Sequence, residues 1–321
     1  MENKPKVKKY LSASRVKLLE TCSWQYWTKY HLLIPEKNNA GALRGTCCHL
    51  IFELLLKERH KHHFAKLINE GHLRGSPSID KLVVKTLSKS GILNDENYEM
   101  VDQMILVGLQ NDFFGGEGAK IDCPEQEFDI VNEKPAYRIK GFMDKPIQYP
   151  GSKMIKVVDY KSSKAKFKGD DLDANVQGMM YSLASRKLWP KQKKYLVDFL
   201  FLRFPKQPVQ SLEFSKEQLA GFELYLEHVN KIVDNFSEET GKTNYAADKA
   251  KNKWLCQAGK TWVCPVKNPF SYYGLHDEKG ALIKTSLEND FSPKERETVK
   301  TLKYAGCPRY HNPSEDNSFD F

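Results

Sequence analysis

Two short segments hold the residues best suited to chemistry: Gly141-Phe142-Met143-Asp144 and Val157-Val158-Asp159-Tyr160-Lys161. Each reads as the end of a strand. Residues i and i+2 of a strand point to the same face, so Asp159 and Lys161 share one face and Tyr160 takes the other. The strands are joined through a turn at Tyr149-Pro150-Gly151-Ser152, which puts Asp144 across from Asp159. Two carboxylates at that range repel each other unless a cation lies between them, and a hard divalent ion such as Mg²⁺ resolves the repulsion. A lysine beside them can orient or deprotonate a water and stabilise charge on a phosphate. An isolated Asp-x-Lys is commonplace on a charged surface strand; here the weight comes from its company. Gly45 and His49 fall on one helix, where His49 offers a nitrogen ligand and Gly45 permits close backbone approach. Gln177 and Tyr181 fall one turn apart on one face of another helix.

The elements that must position these groups follow from periodicity and punctuation. Ser12 is placed as an N-cap, with helix running to about Tyr30 through Val16, Leu18, Leu19, Trp24, Tyr26 and Trp27. A second helix is expected over 42–58, burying Leu43, Cys47, Leu50, Ile51, Leu54 and Leu55, and more helix over 61–70, 78–90 and 96–114. Three strands follow, over 122–131, 136–149 and 153–162. A helix over 171–188, a buried strand over 195–204 and a helix over 216–236 complete the pattern. The expected class is α/β: a central mixed sheet flanked by helices, with a helical N-terminal half and an irregular C-terminal region. The segments read as a basic arm (1–10), a helical region (11–120), an α/β catalytic core (121–236), a C-terminal region (237–313) and an acidic-aromatic tail (314–321).

Composition narrows the class of protein without choosing within it. The chain has 321 residues, 40% apolar and 12% aromatic, too rich in both for a disordered polymer. Fifty Lys and Arg against 41 Asp and Glu leave +9, which fits a polyanionic partner but many other proteins too. No apolar run reaches the roughly 18 residues of a membrane helix, and the basic N-terminus is not followed by a secretory-type apolar stretch. The expectation is a soluble intracellular protein, cytoplasmic, with no membrane partner. Seven irregularly spaced cysteines do not form a disulfide framework.

The ordered set Ser12-Ala13-Ser14 with Cys22 and Tyr26, Gly45…His49, Gly141…Asp144, Asp159-Tyr160-Lys161 and Gln177…Tyr181 resembles the RecB-like branch of the PD-(D/E)XK nuclease superfamily. That branch includes nuclease domains of recombination helicases and the exonucleases of CRISPR adaptation. The likeness spans roughly residues 10–205, and its specificity lies in the order of five motifs. It implies a restriction-endonuclease-like core and hydrolysis of DNA phosphodiester bonds with Mg²⁺ or Mn²⁺. His49, Asp144, Asp159 and the Tyr160 backbone carbonyl match the metal ligands, and Lys161 matches the catalytic lysine. Gln177 and Tyr181 match the motif that helps hold DNA and the lysine. Glu53 and Glu127 are candidates for carboxylates behind the ligands, although a plain ion-pairing role is the simpler reading of each. The expected activity is exonucleolytic, on single-stranded or end-containing DNA, in recombination, repair or processing. A catalytically silent DNA-binding or assembly subunit, or a structure-specific endonuclease, is the alternative.

Many members of this branch also hold a [4Fe–4S] cluster through one N-terminal and three C-terminal cysteines. Cys22 matches the first. The branch's C-x-x-C-x5-C spacing, laid on Cys264, falls on Thr261 and Phe270, so Cys256 and Cys307 complete a set only at different spacing. The sequence therefore leans toward an aromatic packing cluster there, built from Trp254, Trp262, Phe270, Tyr272 and Tyr273. Lys164, Lys166 and Lys168, just after the lysine strand, suit phosphate neutralisation without base specificity. Trp24, Tyr26 and Trp27 could stack on bases but are expected in the core. His60, His62 and His63 are expected in a solvated loop. The tail, with Glu315, Phe319 and Phe321, is a candidate protein-docking segment.

Overall fold

Ser12 caps the first helix through its side-chain oxygen, which accepts the Arg15 N–H. In the computed structural model, which describes residues 10–36, 39–121, 123–256 and 264–311, this helix is α1 (Ala13–Thr21). The N-terminal lysine arm, Thr261, Trp262 and the acidic-aromatic tail lie outside the described residues. The expected single helix to Tyr30 is two, because Cys22 is extended (φ −156°, ψ 109°) and starts α2 (Ser23–Tyr30). Trp24, Tyr26 and Trp27 are buried, so they are core and not a base-stacking surface.

The chain divides into two compact units, residues 1–37 with 227–321, and residues 38–226. The second unit opens with α3 (Ala40–Leu56), capped by Asn39, whose side chain accepts the Ala42 N–H. α4 (His62–Glu70), α5 (Pro77–Lys89) and α6 (Asp95–Gln110) follow. His62 and His63 belong to α4 rather than to a solvated loop, and His63 is buried against the Ser76 hydroxyl (2.7 Å).

Where three strands were expected there are four: β1 (Gln126–Glu133), β2 (Ala136–Met143), β3 (Lys145–Tyr149) and β4 (Met154–Lys161). The expected second strand parts at Asp144. β1 and β2 form a two-stranded antiparallel ribbon, whereas β3 pairs antiparallel with β4. A short helix, α7 (Asp170–Asp173), precedes α8 (Val176–Leu188), which crosses over to β5 (Lys194–Phe201). β5 lies parallel to β4, and β6 (Val209–Leu212) closes a four-stranded mixed sheet of order β3-β4-β5-β6.

Alternation along β4 sorts its two faces. Val158 and Tyr160 join Ile147 and Leu200 in a core with Cys47, Ile51, Phe52 and Leu55 of α3 and Val101 and Ile105 of α6. Val157, Asp159 and Lys161 face the other way, toward α8. Burying roughly 1.5–3 kcal/mol worth of each large aliphatic side chain on the first face fixes which residues turn to the second.

α9 (Lys216–Asp234) runs out of this unit. The first unit then takes up α10 (Glu238–Gly241) and an antiparallel sheet of order β8-β7-β9, made of β7 (Phe270–His276), β8 (Leu282–Ser286) and β9 (Thr298–Tyr304). This corrects the expectation of an irregular C-terminal region. Only Tyr304 is buried on β9 and no residue on β8, whereas β7 buries Tyr272, Gly274 and His276, so the central strand carries most of the sheet's burial.

Candidate active site

The register Lys145↔Val158 sets Asp144 opposite Asp159, as the turn demanded. Asp144 is tied down by the Tyr160 N–H, which donates to its Oδ2 at 2.8 Å. His49 arrives from α3. Its Nε2 lies 3.2 Å from the Tyr160 carbonyl oxygen and its Nδ1 lies 3.4 Å from Asp144 Oδ2. Gly45, one turn earlier, makes that approach possible: a Cβ there would stand 2.6 Å from Ser162 Oγ, just past β4.

Glu125 joins the group, and sequence reasoning missed it. Its Oε1 is 3.8 Å from His49 Nδ1, and ligand atoms of His49, Glu125 and Asp144 all lie within 4.8 Å of one another. Glu125 sits in the turn before β1 with φ +56°, and its N–H donates to the Asp144 carbonyl at 3.0 Å. Pro124 just before it was the available signal that Glu125 belongs to a turn, outside the strand's alternation. Glu127, the carboxylate singled out from sequence, pairs instead with Lys140 at 2.5 Å on the ribbon. Glu53 pairs with Lys57 at 2.7 Å.

Asp159 is held from α8. Its Oδ1 accepts from Gln177 Nε2 at 2.8 Å and lies 2.9 Å from the Tyr181 hydroxyl. That hydroxyl is also 2.8 Å from the Phe142 carbonyl and accepts from Gln177 Nε2 at 2.7 Å. Burial first, and then the charges of Asp159 and Asp144, push the Tyr181 pKa well up, so the phenol stays protonated and can donate. Lys161 Nζ donates to Gln177 Oε1 at 2.7 Å and stands 2.6 Å from Asp159 Oδ2. That oxygen is buried, and no donor is aligned on it as a hydrogen bond despite the short distance.

The electrostatics are those of a cation site. Burial raises the Asp144 pKa and the charge of Asp159 raises it further, against the opposing pull of His49 and the Tyr160 N–H. Burial pulls His49 down, but its contacts with Asp144 and Glu125 and the charges of Asp144 and Asp159 outweigh it and lift the pKa to about 10. The clustered hard oxygens of Glu125 and Asp144 and the His49 imidazole fit a divalent cation. Of the three lysines that follow β4, Lys164 and Lys168 are exposed, whereas Lys166 donates to the Gln207 carbonyl and lies over the Phe204 ring.

A second constellation lies wholly in the first unit. Cys22, Cys256, Cys264 and Cys307 are all buried and line one small cavity with Trp24, Gln25 and Tyr310. Residues far apart in sequence are thus neighbours in the fold. Cys307 N–H donates to the Lys267 carbonyl at 3.0 Å, and Lys267 Nζ donates to the Cys256 carbonyl at 2.8 Å. Gln25 Nε2 points at Cys264 Sγ from 3.2 Å. Burial pushes the Cys307 thiol up to about 12, with neighbouring cysteines pushing the same way. Of the aromatic packing cluster expected here, Phe270 and Tyr272 do pack around the cysteines, but Trp254 is 60% exposed and takes no such part.

Fold and site together define a nuclease-type α/β domain. The family model of the PD-(D/E)XK nuclease superfamily matches residues 10–268, and the chain belongs to that superfamily. A crystal structure from Eubacterium rectale, described as "Putative exonuclease", is similar over 78% of this chain and 90% of that one, at 13% identity and a TM-score of 0.47. A search of curated protein sequences finds no match. Among the described residues no helix is long and apolar enough to cross a membrane.

Proposed function

We propose that this chain is a metal-dependent deoxyribonuclease of the RecB-like branch, acting as an exonuclease on single-stranded or end-containing DNA in recombination, repair or processing. The observation that carries the reading is the convergence of His49, Glu125, Asp144, Asp159 and Lys161 on one end of β4, with Gln177 and Tyr181 clamping Asp159 and Lys161 from α8. A structural protein gains nothing from burying two carboxylates against each other beside a histidine.

His49, Asp144, Asp159, Glu125 and the Tyr160 carbonyl would hold the ion. A divalent cation in this position supplies Lewis-acid stabilisation of a phosphoryl oxygen and makes water acidic enough to attack at neutral pH. Lys161 presents its ammonium beside the carboxylates, oriented by Gln177, where negative charge builds on the phosphate. Gln177 can serve Lys161 and Asp159 together in one amide orientation only, oxygen to the ammonium and NH₂ to the carboxylate. Lys164 and Lys168 extend positive charge along the strand's exit and bind phosphates without reading sequence. The decisive experiment is cleavage of end-labelled single- and double-stranded, linear and circular DNA with Mg²⁺ or Mn²⁺. Wild type should cleave linear single strands, and Asp159→Ala and Lys161→Ala should not. Undiminished cleavage by both variants would remove the site assignment, and binding without cleavage by wild type would favour the silent subunit.

The four cysteines of the first unit are read as ligands of a [4Fe–4S] cluster. The supporting observation is that all four are buried and line one cavity. Anaerobically purified protein should be brown and carry close to four irons; less than one iron per chain would overturn this part of the reading.

A further inference from the structure

The ribbon β1–β2 turns two unlike faces outward and inward. Phe128, Ile130, Tyr137 and Ile139 are buried on one. On the other stand Glu127, Asp129 and Val131 of β1 and Arg138, Lys140 and Phe142 of β2. The charges of that face are paired among themselves, Lys140 with Glu127 and Asp129, and Arg138 with Asp129. Phe142 differs: an aromatic ring half in solvent (50% exposed) at the end of the ribbon nearest the carboxylates. It lies two residues before Asp144, so its Cα is about 7 Å from that of the ligand at strand rise.

The backbone beneath the ring is held in place although half of the ring lies in solvent. The Phe142 carbonyl is 2.8 Å from the Tyr181 hydroxyl, which also touches Asp159. Beneath it, Gly141 leaves room for the Phe128 ring, which a Cβ would meet at 2.7 Å, and Phe128 in turn meets Tyr181 edge-on. The backbone of Phe142 is therefore fixed to the site, and its side chain is not needed for the core. What sets it apart from other exposed apolar side chains is its place beside the carboxylates, where its flat face is open to a flat, apolar ligand. Every nucleic-acid base offers that face once it is unpaired.

We infer that Phe142 is a base-stacking platform for the nucleotide flanking the scissile phosphate, which favours unpaired strands over duplex. The inference rests on the nuclease reading and adds to it the side chain that senses whether a base is free. It is tested with the full chain on single-stranded oligonucleotides carrying one abasic site at successive positions, and with 2-aminopurine as a stacking probe in Ca²⁺. In wild type, an abasic site at one position beside the cut should lower kcat/KM roughly 5- to 150-fold, the range expected for one lost stack. Phe142→Ala and Phe142→Leu should show that loss on intact DNA and be indifferent to the abasic site. Phe142→Trp should restore both cleavage and the quenching of 2-aminopurine. Equal kcat/KM and equal abasic profiles for wild type and Phe142→Ala would overturn the inference and leave the nuclease reading standing. Absence of any cleavage by wild type would overturn that reading and this inference with it.

Discussion

Lys161 and Gln177 are joined by a 2.7 Å hydrogen bond from the ammonium to the amide oxygen, and the same amide grips Asp159 with its nitrogen. One neutral side chain thus sets the position of both a cation and an anion. Replacing Gln177 with Ala should lower kcat by about 10²-fold through misplacement of Lys161, with much less change in KM. Gln177→Glu should do worse, since it sets a second carboxylate against Asp159. Steady-state kinetics on one oligonucleotide checks both, and equal losses in kcat and KM would point to a DNA-binding role instead.

Glu125 and Glu127 make a matched pair for mutation, two residues apart and engaged differently. Glu125→Gln should weaken Mn²⁺ binding about 10- to 100-fold, the usual effect of disturbing a group at a metal site. Glu127→Gln removes one surface ion pair with Lys140 and should leave binding within about twofold. Mn²⁺ titration followed by electron paramagnetic resonance separates them without a cleavage assay.

Lys145 is fully buried, donating to the Phe113 carbonyl at 3.0 Å, and burial above all brings its pKa down to about 7. Unfolded, it would stay protonated up to about 10.4. Between those values the folded state binds fewer protons than the unfolded one, so stability rises with pH. Against Lys145→Met, wild type should gain about 1.4 kcal/mol per pH unit between pH 7.5 and 9. Urea unfolding in EDTA at three pH values measures the slope; parallel curves would show that Lys145 stays protonated in the folded state throughout that range.

Substituting Cys264 or Cys307 with Ser should abolish the iron content and the visible absorbance, and lower the melting temperature of the first unit. Cys123→Ser, at an exposed position away from the cavity, should leave iron unchanged. Iron analysis of the variants side by side checks the assignment.

The pairing of Asp144 with Asp159 and the sharing of a face by Asp159 and Lys161 were legible because strand alternation has a period of two and the Pro-Gly turn fixes the partner. The Gln177–Tyr181 pair was legible for the parallel reason in a helix. Glu125 was not, because a turn residue at φ +56° follows no period, and its strand neighbour Glu127 drew the attention. The split at Asp144 was equally hidden, since both halves of the segment have strand composition and only long-range pairing assigns them to different sheets. The C-terminal sheet escaped because its strands are short and its two edge strands together bury only Tyr304, and the cysteine set because its closure runs through Lys267 and through segments far apart in sequence.

The parting of the chain at Asp144 frees the anchoring of that carboxylate from the far end of the ribbon. Asp144 hangs from the β3–β4 register and the Tyr160 N–H, neither of which depends on how far the ribbon extends. The loop at Glu133–Ala136, at the ribbon's far end, can therefore be lengthened, shortened or replaced while the ligands stay in place. For an engineer this is a handle on substrate choice that leaves the chemistry alone, and for evolution it is a place where relatives can diverge in what they cut without relearning how to cut.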